Sequence, residues 1–282
     1  MASEGHEIVR LVRPGSAPAR AQLSWDPESG AIDREGLEGL DAVVHLAGEN
    51  IASGRWTAAR RARLTRSRVA GTTLLSETLA GLSKPPAVLV SASAIGFYGD
   101  RGDERLDERS AAGRGFLPEL ATAWEASTES AERAGIRVVK LRIGIVLSPK
   151  GGALAKMLPP FRLGLGGRLG SGRQIMSWIA LADLVGAMRF AIVKPALSGA
   201  VNATAPGAVS NAEFTRTLAR VLRRPAILPL PAFALRVLFG ELADEALLAG
   251  ARVLPRRLEE EGFRFEHPEL EEALRFELGG DS

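Results

Sequence analysis

Unbroken apolar runs alternate with helix-period segments through the first half of the chain. Residues 6–12 and 41–48 (DAVVHLAG) read as strands, with a loop and a short helical turn between them. Residues 57–83 carry a helical pattern, with Thr57 in position to cap its start and Pro85 and Pro86 ending it. Residues 87–94 (AVLVSASA) are almost continuously apolar, which suits a strand buried on both faces of a parallel sheet. After a polar, acidic loop over 99–115, residues 116–134 are helical and residues 137–147 (RVVKLRIGIVL) form another buried strand. Strand, helix, strand, helix, strand at this spacing predicts a doubly wound parallel α/β sheet over residues 1–150.

The second half is less regular. Glycines at 164, 166, 167, 170 and 172 mark a loop, followed by a helix over 182–193 and a strand over 200–203. Ser210 and Glu213 have capping-box spacing and open a helix that runs to Leu222. Three further helical stretches centre near Phe233, Ala246 and Leu270. Residues 151–282 therefore read as a substrate or lid region. Segments of 170–205 return to the sheet, and a small helical domain covers about 225–282.

Composition narrows the chemistry. The chain has no cysteine, so disulfides, thiolate nucleophiles and iron–sulfur clusters are excluded. Its three histidines have no ligand spacing, so no metal site is expected. The net charge of +3 is carried mostly by arginine. The cluster Arg55, Arg60, Arg61, Arg63, Arg66 and Arg68 has only Trp56 among it, which offers no base-stacking platform. No nucleic-acid partner and no membrane partner is expected, and the location expected is cytoplasmic. The fingerprint G-x-G-x-x-G of dinucleotide folds is absent, and the glycines of 164–172 do not fit it.

Several motifs in order nevertheless carry a resemblance: HLAGENIASGRW (45–56), SASAIGFYGDRGD (91–103), GGALAKMLPPFRLGLGG (151–167), GSGRQIMSWI (170–179), NATAPGAVSNAEFTR (202–216) and LPRRLEEEGFRFEHP (254–268). Together they resemble the epimerase-like, atypical extended short-chain dehydrogenase/reductases. These are NAD(P)-dependent proteins of epimerase/dehydratase type, with a C-terminal domain of unknown function. The resemblance implies a Rossmann-like sheet whose glycine-rich first strand-turn-helix unit precedes the segment resembling 5–13. That unit is not in this chain, and its strand would lie between the strands near His6 and Asp41. The expectation is a misassigned start site, or a product that folds poorly alone.

The same resemblance marks candidate site residues. Val12 and Arg13 stand where the second strand ends beside the adenosine ribose. A guanidinium there can bind a 2′-phosphate and favours NADP, whereas a bare pattern reads Arg13 as a solvated strand end. Leu46, Ala47, Gly48 and Arg68 are implied cofactor contacts, and Val146 is placed at the nicotinamide end, with simple core packing as its alternative. Ser93 is the implied hydroxyl partner of the substrate oxygen. The Tyr-x-x-x-Lys pair of ordinary short-chain reductases is missing, leaving Tyr98 as an alternative acid or as a structural loop residue. Ala180 and Ala182 replace a His and an Asp usual in the family, and Asp183 reads as a helix cap. The expected function is NADP-dependent oxidoreduction or epimerisation of a sugar-nucleotide-like or other small carbonyl or hydroxyl substrate. The rival is a non-catalytic NADP-binding or interaction protein.

Overall fold

The computed structural model describes residues 5–15 and 21–279. Strand β1 (Arg10–Val12) pairs in parallel with β2 (Gln22–Asp26), which turns back into β3 (Ala31–Ile32). The turn is built by Asp26, whose carboxylate accepts the Glu28 N–H at 3.0 Å and the Ser29 hydroxyl at 2.7 Å. This hairpin lies in the stretch expected to hold only a loop and a helical turn. Its alternation is too short to stand out from a polar background.

The chain continues through β4 (Ala42–His45), α1 (Ala58–Ala80), β5 (Val88–Ala94), β6 (Arg105–Leu106), α2 (Phe116–Ala126), α3 (Glu129–Arg133), β7 (Arg137–Ile143), β8 (Ile145–Leu147) and α4 (Gly152–Arg162). It then forms β9 (Ile175–Met176), β10 (Trp178–Ala180), α5 (Leu181–Val193), β11 (Gly199–Ala203), β12 (Val209–Ser210) and α6 (Asn211–Leu222). The C-terminal region is mostly helical: α7 (Ala232–Phe239), a π-helical turn (Ala243–Leu247), β13 (Arg252–Val253), α8 (Arg256–Glu260) and α9 (Leu270–Glu277).

Four parallel strands in the order β11-β7-β5-β4 make the central, Rossmann-like sheet. Alternate side chains fix its two coats. Val88, Val90, Val139 and Leu141 pack with Leu184 and Ala187 of α5, while Leu89 and Val138 pack with Leu75 and Leu79 of α1. At about 1.5–3 kcal/mol for each buried aliphatic side chain, these layers are the main reason the helices stay on the sheet. A second core joins Leu158 and Phe161 of α4 to Trp178, Phe214 and Leu274. The strand near Asp41 is the outer strand β4, and the strand near His6 is β1, which belongs to a separate three-stranded sheet.

Two expected elements are split. The run 137–147 breaks at Gly144, where a Cβ would lie 2.7 Å from the Ser177 carbonyl oxygen and 2.9 Å from Thr204 Cγ2. Only glycine allows that approach, and the chain leaves β11 there to pair β8 with β10. The helix over 116–134 is interrupted where the Ser127 and Thr128 hydroxyls bond back to the Trp124 and Glu125 carbonyls at 2.6 and 2.8 Å. Two caps were foreseen: Thr57 accepts the Arg60 N–H and Ser210 accepts the Glu213 N–H. Asp183 is not a cap. It lies in the first turn of α5, and its carboxylate accepts the N–H groups of Glu266 and His267 at 2.7 and 3.1 Å, tying the C-terminal segment to the sheet domain.

Candidate active site

Parallel strands end together, so β4, β5 and β7 deliver residues 45–48, 93–94 and 143–146 to one edge, the edge at which open α/β sheets bind ligands. Ser93 closes β5 and is buried. Its hydroxyl donates to Glu125 Oε1 at 2.7 Å, from the α2 helix packed behind the strand. Arg142, the partner of Ser93 in the β5–β7 register, donates from Nε to Glu125 Oε1 at 2.8 Å and from Nη2 to Oε2 at 2.9 Å. Its Nη1 donates to the Tyr98 hydroxyl at 3.0 Å, and its Cζ lies 3.4 Å from the centre of the Phe97 ring. Burial disfavours the Arg142 charge, but the hydrogen bonds and charge of Glu125 outweigh it and raise the pKa above the ordinary arginine value.

Tyr98 is fully buried. Its proton points between Asn202 Oδ1 at 2.8 Å and the Asp107 carbonyl at 2.9 Å, and Asn202 Nδ2 donates in turn to the Leu254 carbonyl at 2.9 Å. Burial first of all pushes the phenol pKa up. One chain of polar contacts thus runs from the sheet edge at Ser93 to the C-terminal region.

The other half of the edge is open. Leu46 and Gly48 are exposed after β4, and Ala47 is half-buried. Arg68 of α1 comes up beneath them: a Cβ on Gly48 would stand 3.3 Å from Arg68 Cζ. The guanidinium donates to the Glu49 carbonyl at 2.9 Å and lies 5.0 Å from the Trp124 ring, and burial lowers its pKa. Arg60 pairs with Glu49 and donates to the Asn50 carbonyl at 2.6 Å, fixing the loop that follows. His45 lies behind the ledge, 2.9 Å from Thr72 Oγ1, which also accepts the Trp124 Nε1–H at 3.0 Å.

The structure therefore brings Leu46, Ala47, Gly48 and Arg68 together, and Ser93 and Tyr98 together through Arg142. Val146 sits in β8 opposite Ile179, packed against the core cluster that includes Val139 and Leu141. Val12 ends β1, in the separate sheet, and Arg13 follows it directly, with its Nη1 3.8 Å from Glu28 Oε1. Ala180 is buried in β10 beside Leu147. Glu125, Arg142 and Asn202 were not anticipated. Arg142 had a signal, a single guanidinium in the middle of an apolar strand, whereas Glu125 and Asn202 had none beyond their neighbours. Among the described residues no group of His, Asp and Glu is placed to hold a metal ion, and no helix is long and apolar enough to cross a membrane.

Comparison with known proteins agrees with this architecture. The chain is 49% identical over 272 residues to the epimerase family protein Mb2239 of Mycobacterium bovis, covering 96% of this chain and 89% of that one. The crystal structure of human epimerase family protein SDR39U1 (isoform 2) with NADPH superposes with a TM-score of 0.88 at 35% identity, covering 98% of this chain and 92% of that one. The nucleoside-diphosphate sugar epimerase of Corynebacterium glutamicum superposes with a TM-score of 0.79 at 36% identity, covering 98% of this chain and 53% of that one. Residues 230–277 match a domain of unknown function, DUF1731. Residues 1–203 match the NAD dependent epimerase/dehydratase family, and the chain belongs to it.

Proposed function

We propose that the chain is an NADP(H)-dependent oxidoreductase or epimerase acting on the hydroxyl or carbonyl of a small, sugar-nucleotide-like molecule, working in the cytoplasm where that cofactor pool lies. The observation that carries the reading is the ledge of Leu46, Ala47 and Gly48 beside the Ser93–Glu125–Arg142 cluster at one sheet edge. A dinucleotide fits the ledge because half-buried Ala47 and exposed Gly48 carry little or no side chain and let it approach backbone, with Arg68 directly beneath Gly48. Val146 bounds the edge from β8. Arg13 is the candidate partner of a 2′-phosphate and the basis for NADP over NAD. Human SDR39U1, the structural relative reported with NADPH, supports the cofactor class. Bound there, the dinucleotide supplies reversible hydride transfer.

The chain's own residues orient the substrate. The Ser93 proton is committed to Glu125, so towards a ligand its oxygen first presents lone pairs and accepts a hydroxyl proton. Polarising a carbonyl requires the hydroxyl to turn off Glu125. Arg142 holds Glu125 in register, and Tyr98, buried behind it, acts through Arg142 as a positioning residue.

A fluorescence titration with NADPH and NADH tests the cofactor assignment. NADPH is expected to bind more tightly, with Arg13→Ala removing that preference and Arg68→Ala weakening both by about tenfold, the order of one charge-assisted contact. Equal binding of the two cofactors by the parent chain overturns the NADP assignment. The burial of Ser93 and Tyr98 favours a second reading, a non-catalytic NADP-binding protein. NADPH binding without turnover of any carbonyl or sugar nucleotide in a panel selects it.

A further inference from the structure

The small net charge of the whole chain conceals a strong local imbalance. From residue 151 to residue 240 there are eleven Lys and Arg against two acids, Asp183 and Glu213. Asp183 is buried and spent on backbone N–H groups. Within this stretch, the segments after α4 and before α7 run side by side. Leu228 N–H donates to the Gly166 carbonyl at 3.2 Å, Leu230 N–H donates to the Arg168 carbonyl at 2.9 Å, and Leu169 and Leu230 form a parallel bridge.

The side chains at this place are turned outward. Leu163 is 74% exposed and Ile227 75%, and on the adjoining α7 helix Phe233 is 70% and Val237 67% exposed, one turn apart on one face. A soluble surface rarely groups large aliphatic and aromatic side chains in this way without a partner. Arg162, Arg168, Arg223 and Arg224 are exposed on the same two segments. The occupant must therefore accept protruding apolar groups and supply negative charge. A two-fold pairing of this face with its own copy would set arginines against arginines. Single side chains standing out from a helix and two loops also give no groove for an acidic peptide. A bilayer surface with anionic headgroups meets both requirements, and it needs no spanning helix.

We propose that the face formed by 162–168 and 223–238 is a peripheral docking surface for an anionic lipid bilayer. Leu163, Ile227, Phe233 and Val237 enter the interfacial layer, and the four arginines bind lipid phosphates. The proposal is independent of the catalytic reading.

Sedimentation of the intact chain with vesicles tests it, using phosphatidylcholine alone and phosphatidylcholine containing phosphatidylglycerol. Retention is expected only with the anionic vesicles, falling severalfold between about 0.1 and about 0.5 M salt as headgroup charge is screened. The double variant Phe233→Asp/Val237→Asp and the double variant Arg223→Ala/Arg224→Ala should each lower retention about tenfold with the melting temperature unchanged, the size expected from losing two anchors or two charges. Val193→Asp, an exposed apolar site on α5, should change nothing. The proposal is overturned by retention on neutral vesicles at the same level, by no retention at all, or by retention that survives Phe233→Asp/Val237→Asp. A solution dimer abolished by that double variant would assign the face to a second copy and overturn it equally.

Discussion

Acidification should destabilise this protein through His45. The imidazole is 5% exposed, and burial holds its pKa at about 4 against an ordinary 6.5. Thr72 Oγ1 lies 2.9 Å from His45 Nε2 and also accepts the Trp124 Nε1–H, so the neutral imidazole is hydrogen-bonded inside its pocket. The Trp25 ring closes the pocket edge-on, with centroids 5.7 Å apart. In the unfolded chain the ring takes up a proton near its ordinary value, while in the folded chain it does not until about pH 4. Stability is therefore full above about pH 6.5 and falls as the pH drops towards 4. Between about pH 7.5 and about pH 5 the loss is about 2 kcal/mol, approaching about 3 kcal/mol below the folded pKa. Urea denaturation followed by tryptophan fluorescence at the two pH values measures it, with His45→Leu as the reference. Every other ionisable group is common to the two proteins, so its contribution cancels in the comparison. The wild type should lose about 2 kcal/mol more than the variant. Equal losses in the two proteins would refute the assignment of a buried neutral imidazole.

Other outcomes follow from single contacts. Gly144→Ala forces a methyl group against the Ser177 carbonyl and Thr204, and because one of these is backbone the strain cannot relax cheaply; a loss of about 1–3 kcal/mol in urea denaturation is expected. Asp183→Ala orphans the N–H groups of Glu266 and His267, and amide hydrogen exchange should accelerate over 263–268 well before the central strands are affected. Ser210→Ala removes the α6 cap and should cost about 1 kcal/mol, read as a shift in the urea midpoint with an unchanged slope.

The central sheet was legible because its strands are buried on both faces and therefore spell long apolar runs. The helices α1, α5 and α6 were legible from periodicity and, for two of them, from the caps Thr57 and Ser210. What escaped is short or depends on distant partners. The strands β6 and β13 are two residues each, and they pair only because the C-terminal region folds back onto the loop after β5. The break at Gly144 is invisible in RVVKLRIGIVL, since the crowding that demands glycine comes from residues 177 and 204. The site divides in the same way. Leu46, Ala47, Gly48 and Ser93 sit at strand ends that the apolar pattern locates. Glu125 is a surface-like glutamate in a helical pattern until α2 packs behind β5 and the register of β5 with β7 sets Arg142 beside Ser93.

The buried Arg142–Glu125 pair is the feature least explained by folding. Taking both charges out of water costs several kcal/mol each, and apolar replacements of matching volume are often neutral or stabilising, so stability alone is a poor reason to keep the pair. Its geometry suggests another reason: the same carboxylate oxygen that receives Arg142 Nε also receives the Ser93 proton, so the pair dictates what Ser93 offers to a ligand. The two roles separate experimentally. Glu125→Ala leaves Arg142 buried and unpaired and should cost about 3–5 kcal/mol in urea denaturation, whereas Glu125→Leu/Arg142→Met removes both charges and should return to within about 1 kcal/mol of the parent. If the pair exists to orient Ser93, the restored double variant binds NADPH like the parent, because the ledge of Leu46–Gly48 is untouched, but turns over no panel substrate that the parent reduces. A double variant that recovers both stability and turnover shows that Ser93 needs no such partner. One that recovers neither makes the pair a structural member of the fold.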